Sequence, residues 1–279
     1  MQIEHHTIER DGYHWHVVTS GPVDAPPVLM LHCWTGNWTL WEKTMQHLDG
    51  QYRFIVPDHL GFGQSDKPRG QFYAIDQQAE RSLHILKCFG YERATVIGHS
   101  MGGQIALTLA AIHPEAVERL IVVDPSVTGN LHWLLQLAGL WFVPVLRGIT
   151  WPIVTGINLG LRFPSLGLHS MRMYFAEPFA QREAALYWAA QTIADGQVYS
   201  SAWAYKAIVA WDVTPLLSKI SAPTLALWGL ADYCTPISEC DVLATHIRDF
   251  RAVRLSKVGH FPMIEAWEQY ISQVQGGLT

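Results

Sequence analysis

Charge is scarce in this sequence. Lys, Arg, Asp and Glu make up 15% of its 279 residues, and the formal net charge is −5. No run or face gathers Lys and Arg. Nucleic acid is therefore excluded as a partner, because phosphate binding needs a basic footprint. Cysteine is sparse as well. Cys33, Cys88, Cys234 and Cys240 show no Cys-x-x-Cys pairing, so reduced, mostly buried thiols are expected and no disulfide framework. The N-terminus, Met1 to His6, has no apolar h-region, so no signal peptide is expected and a cytoplasmic location follows as the default. Unbroken apolar runs are missing too. From Pro125 to Leu161 the only charge is Arg147, yet Gly139, Pro144, Gly148, Pro152 and Gly156 interrupt the stretch. A membrane span would need about 20 consecutive apolar residues. An apolar lid, in transient contact with a lipid surface, is the better reading.

What is present is a repeating alternation of strand-like and helix-like runs, in a length that suits one large α/β domain. Gln2 to Thr19 reads as two strands around an Asp11-Gly12 turn. His14 and His16 alternate there, as polar positions on the solvent face of an antiparallel strand would. Short apolar runs at Val28–Leu31, Phe54–Val56, Ala94–Ile97, Leu120–Val123, Leu225–Trp228 and Arg251–Leu255 read as further strands. The first of them are apolar throughout, as strands buried on both faces of a parallel sheet are. Helices are expected at Trp38–His47, Ile75–Phe89, Gln104–Ile112, Ile237–Ile247 and Met263–Val274. The Gly61-Phe62-Gly63 turn lacks the third glycine and the helix of a dinucleotide site, so it reads as structural. Between Ser126 and Trp211 the alternation stops, and half of the twelve tryptophans fall there. This segment reads as an inserted helical cap (126–211) on a core made of 1–125 and 212–279.

The chain centres on Gly98-His99-Ser100-Met101-Gly102-Gly103, where an apolar strand meets a helix. Ser100 is placed on a tight strand-to-helix turn, and the glycines allow backbones to approach without a Cβ between them. A serine hydroxyl is a weak nucleophile until a base accepts its proton and an acid orients that base. His260, in Gly259-His260-Phe261-Pro262 after the last strand, is the candidate base. Asp232, in Gly229-Leu230-Ala231-Asp232, is the favoured acid. Asp124, after the preceding strand, is the alternative acid, and otherwise shapes the entry to the cap, held against Pro125 and the Ser126 backbone. In a parallel sheet the working site lies beyond the carboxyl ends of the strands. Cys33/Trp34, Asp58, Ser100, Asp124, Asp232 and His260 would all fall there.

The order Ser100, Asp232, His260, with His32-Cys33-Trp34 and Gly61-Phe62-Gly63-Gln64-Ser65 upstream, resembles the α/β-hydrolase superfamily, of the capped esterase and lipase-like kind. The resemblance runs from about Gly21 to Val274. It implies an α/β fold: a mostly parallel central sheet flanked by helices, with an inserted cap. It also implies an oxyanion hole from the backbone N–H groups of Trp34 and Met101. Cys33 departs from the glycine usual at its position, and cysteine does not adopt positive φ cheaply. Relatives that open epoxides and alkyl halides use an aspartate nucleophile, and Ser100 argues against both activities. The expectation is hydrolysis of a small lipophilic carboxylic ester through an acyl-enzyme, with no metal or organic cofactor. Lactone hydrolysis, carbon–carbon bond hydrolysis, cofactor-free perhydrolysis and a slow ligand receptor are alternatives on the same residues. Trp34, Trp133, Trp141 and Phe261, with Met101 at the wall, are the candidate pocket residues.

Overall fold

The computed structural model describes residues 1–140, 142–194 and 197–279. Trp141, named above as a pocket candidate, lies outside the described residues. Eight strands form one sheet: β1 (Ile3–Arg10), β2 (Tyr13–Ser20), β3 (Pro27–Leu31), β4 (Arg53–Pro57), β5 (Ala94–His99), β6 (Val117–Val123), β7 (Thr224–Gly229) and β8 (Phe250–Leu255). Their spatial order is β1-β2-β4-β3-β5-β6-β7-β8. Strand β2 runs antiparallel to both neighbours, and every pairing from β4 to β8 is parallel.

The period-2 pleat divides the apolar strand residues between two cores. In β3, Leu29 and Leu31 join one cluster, which includes Ile75 and Leu86 of α2 (Ile75–Cys88) and Ile105 and Leu109 of α3 (Met101–Ile112). Val28 and Met30 join the other, with Trp41 and Met45 and with Tyr270 and Val274 of the C-terminal helix. The helices that cover the two faces are thus selected by alternate residues of the same strands. The first core helix beyond β3 begins as a 3-10 turn, Trp38–Trp41, before α1 (Glu42–His47).

Between β6 and β7 the described residues form only helices: α4 (Trp133–Gly139), α5 (Phe142–Leu146), α6 (Trp151–Arg162), α7 (Pro164–Ser170), α8 (Arg182–Gln191) and α9 (Gln197–Ala210), with short 3-10 turns. This segment has a small core of its own around Phe142, Val145, Val198 and Ala202. It is also anchored to the sheet layer, because Met171, Phe175 and Trp188 belong to the same cluster as Phe261 and Met263. Helices α10 (Ser238–His246), α11 (Pro262–Glu265) and α12 (Trp267–Leu278) complete the chain. No helix among the described residues is long and apolar enough to cross a membrane.

The N-terminal histidines need a correction. His14 is exposed, but His16 is buried, with Nδ1 2.8 Å from Asp58 Oδ2 and Nε2 2.8 Å from His5 Nδ1. The reason is Asp58, which is fully buried at the end of β4. Its carboxylate also accepts the Trp38 and Gln64 N–H groups at 2.7 and 2.9 Å. Asp58 is therefore a strut under the loops at this edge of the sheet. Of the cysteines, Cys33, Cys234 and Cys240 are buried and Cys88 is exposed, all free.

Candidate active site

Because β3 to β8 are parallel, their following loops meet at one edge of the sheet. Ser100 follows β5 directly. Its φ is +56° and ψ −116°, a strained conformation for a residue with a side chain. The strain is held by close packing. A Cβ on Gly98 would stand 2.3 Å from Gly102 O, and one on Gly102 would stand 2.1 Å from Leu31 O. The Ser100 N–H donates to Val123 O at 2.9 Å, and the Gln104 N–H donates to Ser100 O at 2.9 Å, so the turn is tied to β6 and to α3. The hydroxyl thus stands at the N-terminus of α3, where backbone N–H groups favour negative charge. Met101 opens that helix. Its side chain is buried in the core and is absent from the cavity wall, so only its backbone bears on the site.

His260 and Asp232 come together across 28 positions of sequence. His260 Nδ1 lies 2.7 Å from Asp232 Oδ2, and both side chains are buried. A carboxylate only accepts, so Nδ1 carries the proton and Nε2 is left with a lone pair. Asp232 is further held by the Cys234 N–H at 2.6 Å, the Thr235 N–H at 3.2 Å and the Thr235 hydroxyl at 2.6 Å. These donors fix the orientation of the carboxylate.

Asp124 sits nearby but is engaged differently. Its Oδ1 accepts the Gly229 N–H at 2.8 Å, and its Oδ2 has no hydrogen-bond partner among the described residues. Burial pushes its carboxyl well above the usual range, the Asp232 charge adds to this, and the Gly229 N–H works against it. It therefore clamps the end of β7 to the end of β6. The expected grip on Ser126 is replaced by this one, because β7 lies directly beside β6.

Ser100 and His260 line one cavity of about 80 Å³, together with Cys33, Trp34, Tyr174, Trp188 and Phe261. The wall thus includes the pocket candidates Trp34 and Phe261 and not Trp133. Trp133 is 60% exposed on α4, because the helix turns it to solvent. The Cys33 question has a plain answer. The positive φ of the loop falls on Thr35 (+60°), and Cys33 needs none. Burial also pushes the Cys33 thiol far up, which leaves it protonated and unreactive.

Further residues support the site. His99 Nε2 donates to the His260 carbonyl at 2.6 Å, and the His260 N–H donates to Tyr174 O at 2.7 Å. Phe261 is sandwiched by Phe175 and Trp188, with ring centroids 5.0 and 5.2 Å away. The Glu265 carboxylate accepts from Ala176 N at 2.8 Å and from Gly259 and Phe261 N at 3.2 Å. The helical segment thus holds the His260 loop in place as well as covering it. Tyr174, Phe175, Trp188 and Glu265 sit in no recognisable motif, because each is defined by a contact between distant parts of the chain, whereas His99 stands within the serine motif itself.

Three fully buried histidines surround the site. Burial pushes His32, His59 and His99 below the ordinary imidazole value. A histidine held neutral in the fold costs stability only when the unfolded chain takes up its proton. Its contribution is present above about pH 6.5 and is lost as the pH falls below it, by up to about 1.4 kcal/mol per pH unit for each group. His59 isolates the effect, since its Nε2 is buried with no hydrogen-bond partner among the described residues. His59→Phe is expected to lessen the acid loss of stability by about this slope, read from denaturant unfolding between pH 7.5 and 5.5. An unchanged pH dependence would contradict it.

A mostly parallel eight-stranded sheet with a serine turn after β5 defines the class. The profile of the alpha/beta hydrolase fold family matches residues 26–266, and the chain belongs to that family. Among its relatives is Lipase 3 of Moraxella sp. (strain TA144), 26% identical over 250 residues, which are 88% of this chain and 74% of the relative. Two solved structures resemble it along almost their whole lengths. Est816, described as an N-acyl homoserine lactone degrading enzyme, has a TM-score of 0.76 at 25% identity, covering 97% of this chain and 99% of Est816. The epoxide hydrolase CorEH has a TM-score of 0.81 at 24% identity, covering 99% of this chain and 98% of CorEH, a likeness of fold alone.

Proposed function

We propose that this protein is a serine hydrolase that cleaves carboxylic esters of small lipophilic substrates through an acyl-enzyme. The observation that carries the reading is the 2.7 Å Asp232–His260 pair, whose imidazole shares a cavity with the strained Ser100. In this reading His260 Nε2 takes the Ser100 proton as Oγ attacks the ester carbonyl. Asp232 stabilises the imidazolium and fixes its tautomer. The N–H groups of Trp34 and Met101 receive the oxyanion, a contribution worth about 10² to 10³ in rate per donor. His260 then returns the proton to the leaving alcohol, and water repeats the sequence on the acyl-enzyme. The chemistry draws only on side chains and backbone of this chain. The segment 126–211 serves as the cap over this cavity. The lipase relative supports an ester substrate. The likeness to Est816 supports a second reading, a lactone, which is a cyclic ester opened by the same steps. The test is hydrolysis of p-nitrophenyl esters from C2 to C16 by the protein and by Ser100→Ala. Turnover that survives the substitution would sink the proposal.

The same reading extends to a lipid surface. From residue 125 to 176 the chain carries Arg147, Arg162 and Arg172 and no acidic residue, against a net charge of −5 overall. Trp133, Leu137, Leu140, Trp151, Phe163 and Leu166 are all more than half exposed in this stretch. Apolar side chains beside isolated cations suit the boundary of an anionic bilayer. Sedimentation with vesicles containing anionic phospholipid is expected, and is expected to weaken severalfold in Trp133→Ser/Trp151→Ser. Equal sedimentation of the two proteins would refute the contact.

A further inference from the structure

The cavity beside Ser100 is small for a ligand site. Its volume of about 80 Å³ falls below the roughly 300–1,000 Å³ of ordinary ligand pockets. A second, partly open void of about 480 Å³ adjoins it, lined mostly by the helical segment. The two share Trp34, Met171, Tyr174, Ala189 and Tyr205 as walls. Beyond that junction the second void is bounded by α6, through Ile153, Gly156 and Ile157. No charged residue lines it among the described residues, and its polar side-chain groups are Ser170, Thr192, the two tyrosines and the Trp34 indole N–H, which donates to Ser201 O at 2.9 Å. Such a space rejects carboxylates and ammonium groups, which would lose their hydration without a partner. It suits methylene groups.

We propose that this second void seats the aliphatic acyl chain of the substrate, which enters past Ala189 and runs to Gly156. The proposal rests on the serine-hydrolase reading and adds the substrate class: esters of unbranched, medium to long fatty acids. Each methylene moved from water into such a void is worth up to about fourfold in kcat/KM. The ends of the path differ in how they can be altered. Ala189 is the small residue at the junction, so Ala189→Phe narrows the entry. At Gly156, in α6, an added Cβ meets no atom within 4 Å, so Gly156→Trp can cover the far end without disturbing the helix. Gly167, which also lines the void, has no such freedom, since its Cβ would stand 2.6 Å from Gly160 O.

The experiment measures kcat/KM for p-nitrophenyl esters from C2 to C16, with thermal unfolding to confirm the fold of each variant. It is paired with calorimetric binding of dodecanoate to Ser100→Ala with and without Ala189→Phe. The expected result is a C12-to-C2 ratio at least tenfold lower in Ala189→Phe, and dodecanoate binding weakened at least tenfold. Gly156→Trp is expected to lower the C16-to-C8 ratio severalfold, and it decides the matter should Ala189→Phe fail to fold. Ratios within twofold of the parent in folded variants would overturn the proposal while leaving ester hydrolysis standing. Absence of any Ser100-dependent hydrolysis would instead overturn the serine-hydrolase reading. Dodecanoate binding would then decide the channel alone: weakened by Ala189→Phe, the channel stands; unaffected, it falls.

Discussion

Ser100→Ala is expected to lower kcat on an activated ester by about 10⁶, to the rate that binding and oxyanion donors alone support. The magnitude follows from what the substitution removes. The variant loses the group that, among the described residues of the cavity, combines a nucleophilic oxygen, a strained turn that presents it and an imidazole in the same cavity. Cys33 lines the same cavity and offers no substitute, because burial keeps its thiol protonated. The fold should be indifferent to the change, since the turn is held by backbone bonds from Ser100 to Val123 and Gln104 and by the tight packing at Gly98 and Gly102. Steady-state kinetics beside a thermal melt separates the two. A loss of less than about 10² in a folded protein would mean that another group attacks.

Asp232→Asn is expected to lower kcat by about 10⁴. An amide in place of the carboxylate presents an N–H to His260 Nδ1 or turns its oxygen there, and in the first case the imidazole is forced into the wrong tautomer. Asp124→Asn supplies the contrast. Burial and the Asp232 charge raise the Asp124 carboxyl above the usual range, and its Oδ1 accepts the Gly229 N–H. A neutral amide can keep that bond, so most of the activity should remain. Equal losses in the two variants would assign the orienting role to the pair, and the reverse order would assign it to Asp124.

The core strands β3 to β7 were readable because they carry short, largely apolar runs, and β4, β5 and β6 run straight into Asp58, Ser100 and Asp124. The serine turn announces itself through Gly98, Ser100 and Gly102, since no other residue fits 2.1–2.3 Å from a carbonyl oxygen. The interior of the helical segment was not readable. Tryptophans are enriched there, but a tryptophan can stack on Phe261, as Trp188 does, or face solvent, as Trp133 does. Composition alone does not distinguish the two, because helix phase and tertiary contact decide them. His16 failed for a related reason. Period-2 alternation sets which face of β2 it points to, but the acceptor that buries it, Asp58, belongs to a strand and loop forty residues away. Cys33 illustrates the converse: the sequence raised a doubt about positive φ, and the backbone resolved it by placing that φ on Thr35.

The helical segment is also more than a cover. It supplies the Tyr174 carbonyl to the His260 N–H and the rings that grip Phe261. Changes there should therefore alter the placement of the base as well as substrate selection. This coupling bears on any attempt to exchange the segment for another.

The central claim is covalent, and mass mapping of the trapped intermediate tests it most directly. The protein is mixed with p-nitrophenyl acetate, quenched in acid during the first turnover, digested and sequenced by mass. The account predicts one acetyl group per chain, carried by Ser100 in the peptide that spans Gly98 to Gly103, and none in Ser100→Ala. Acetyl on Cys33, or p-nitrophenol released with no acylated residue, would contradict it.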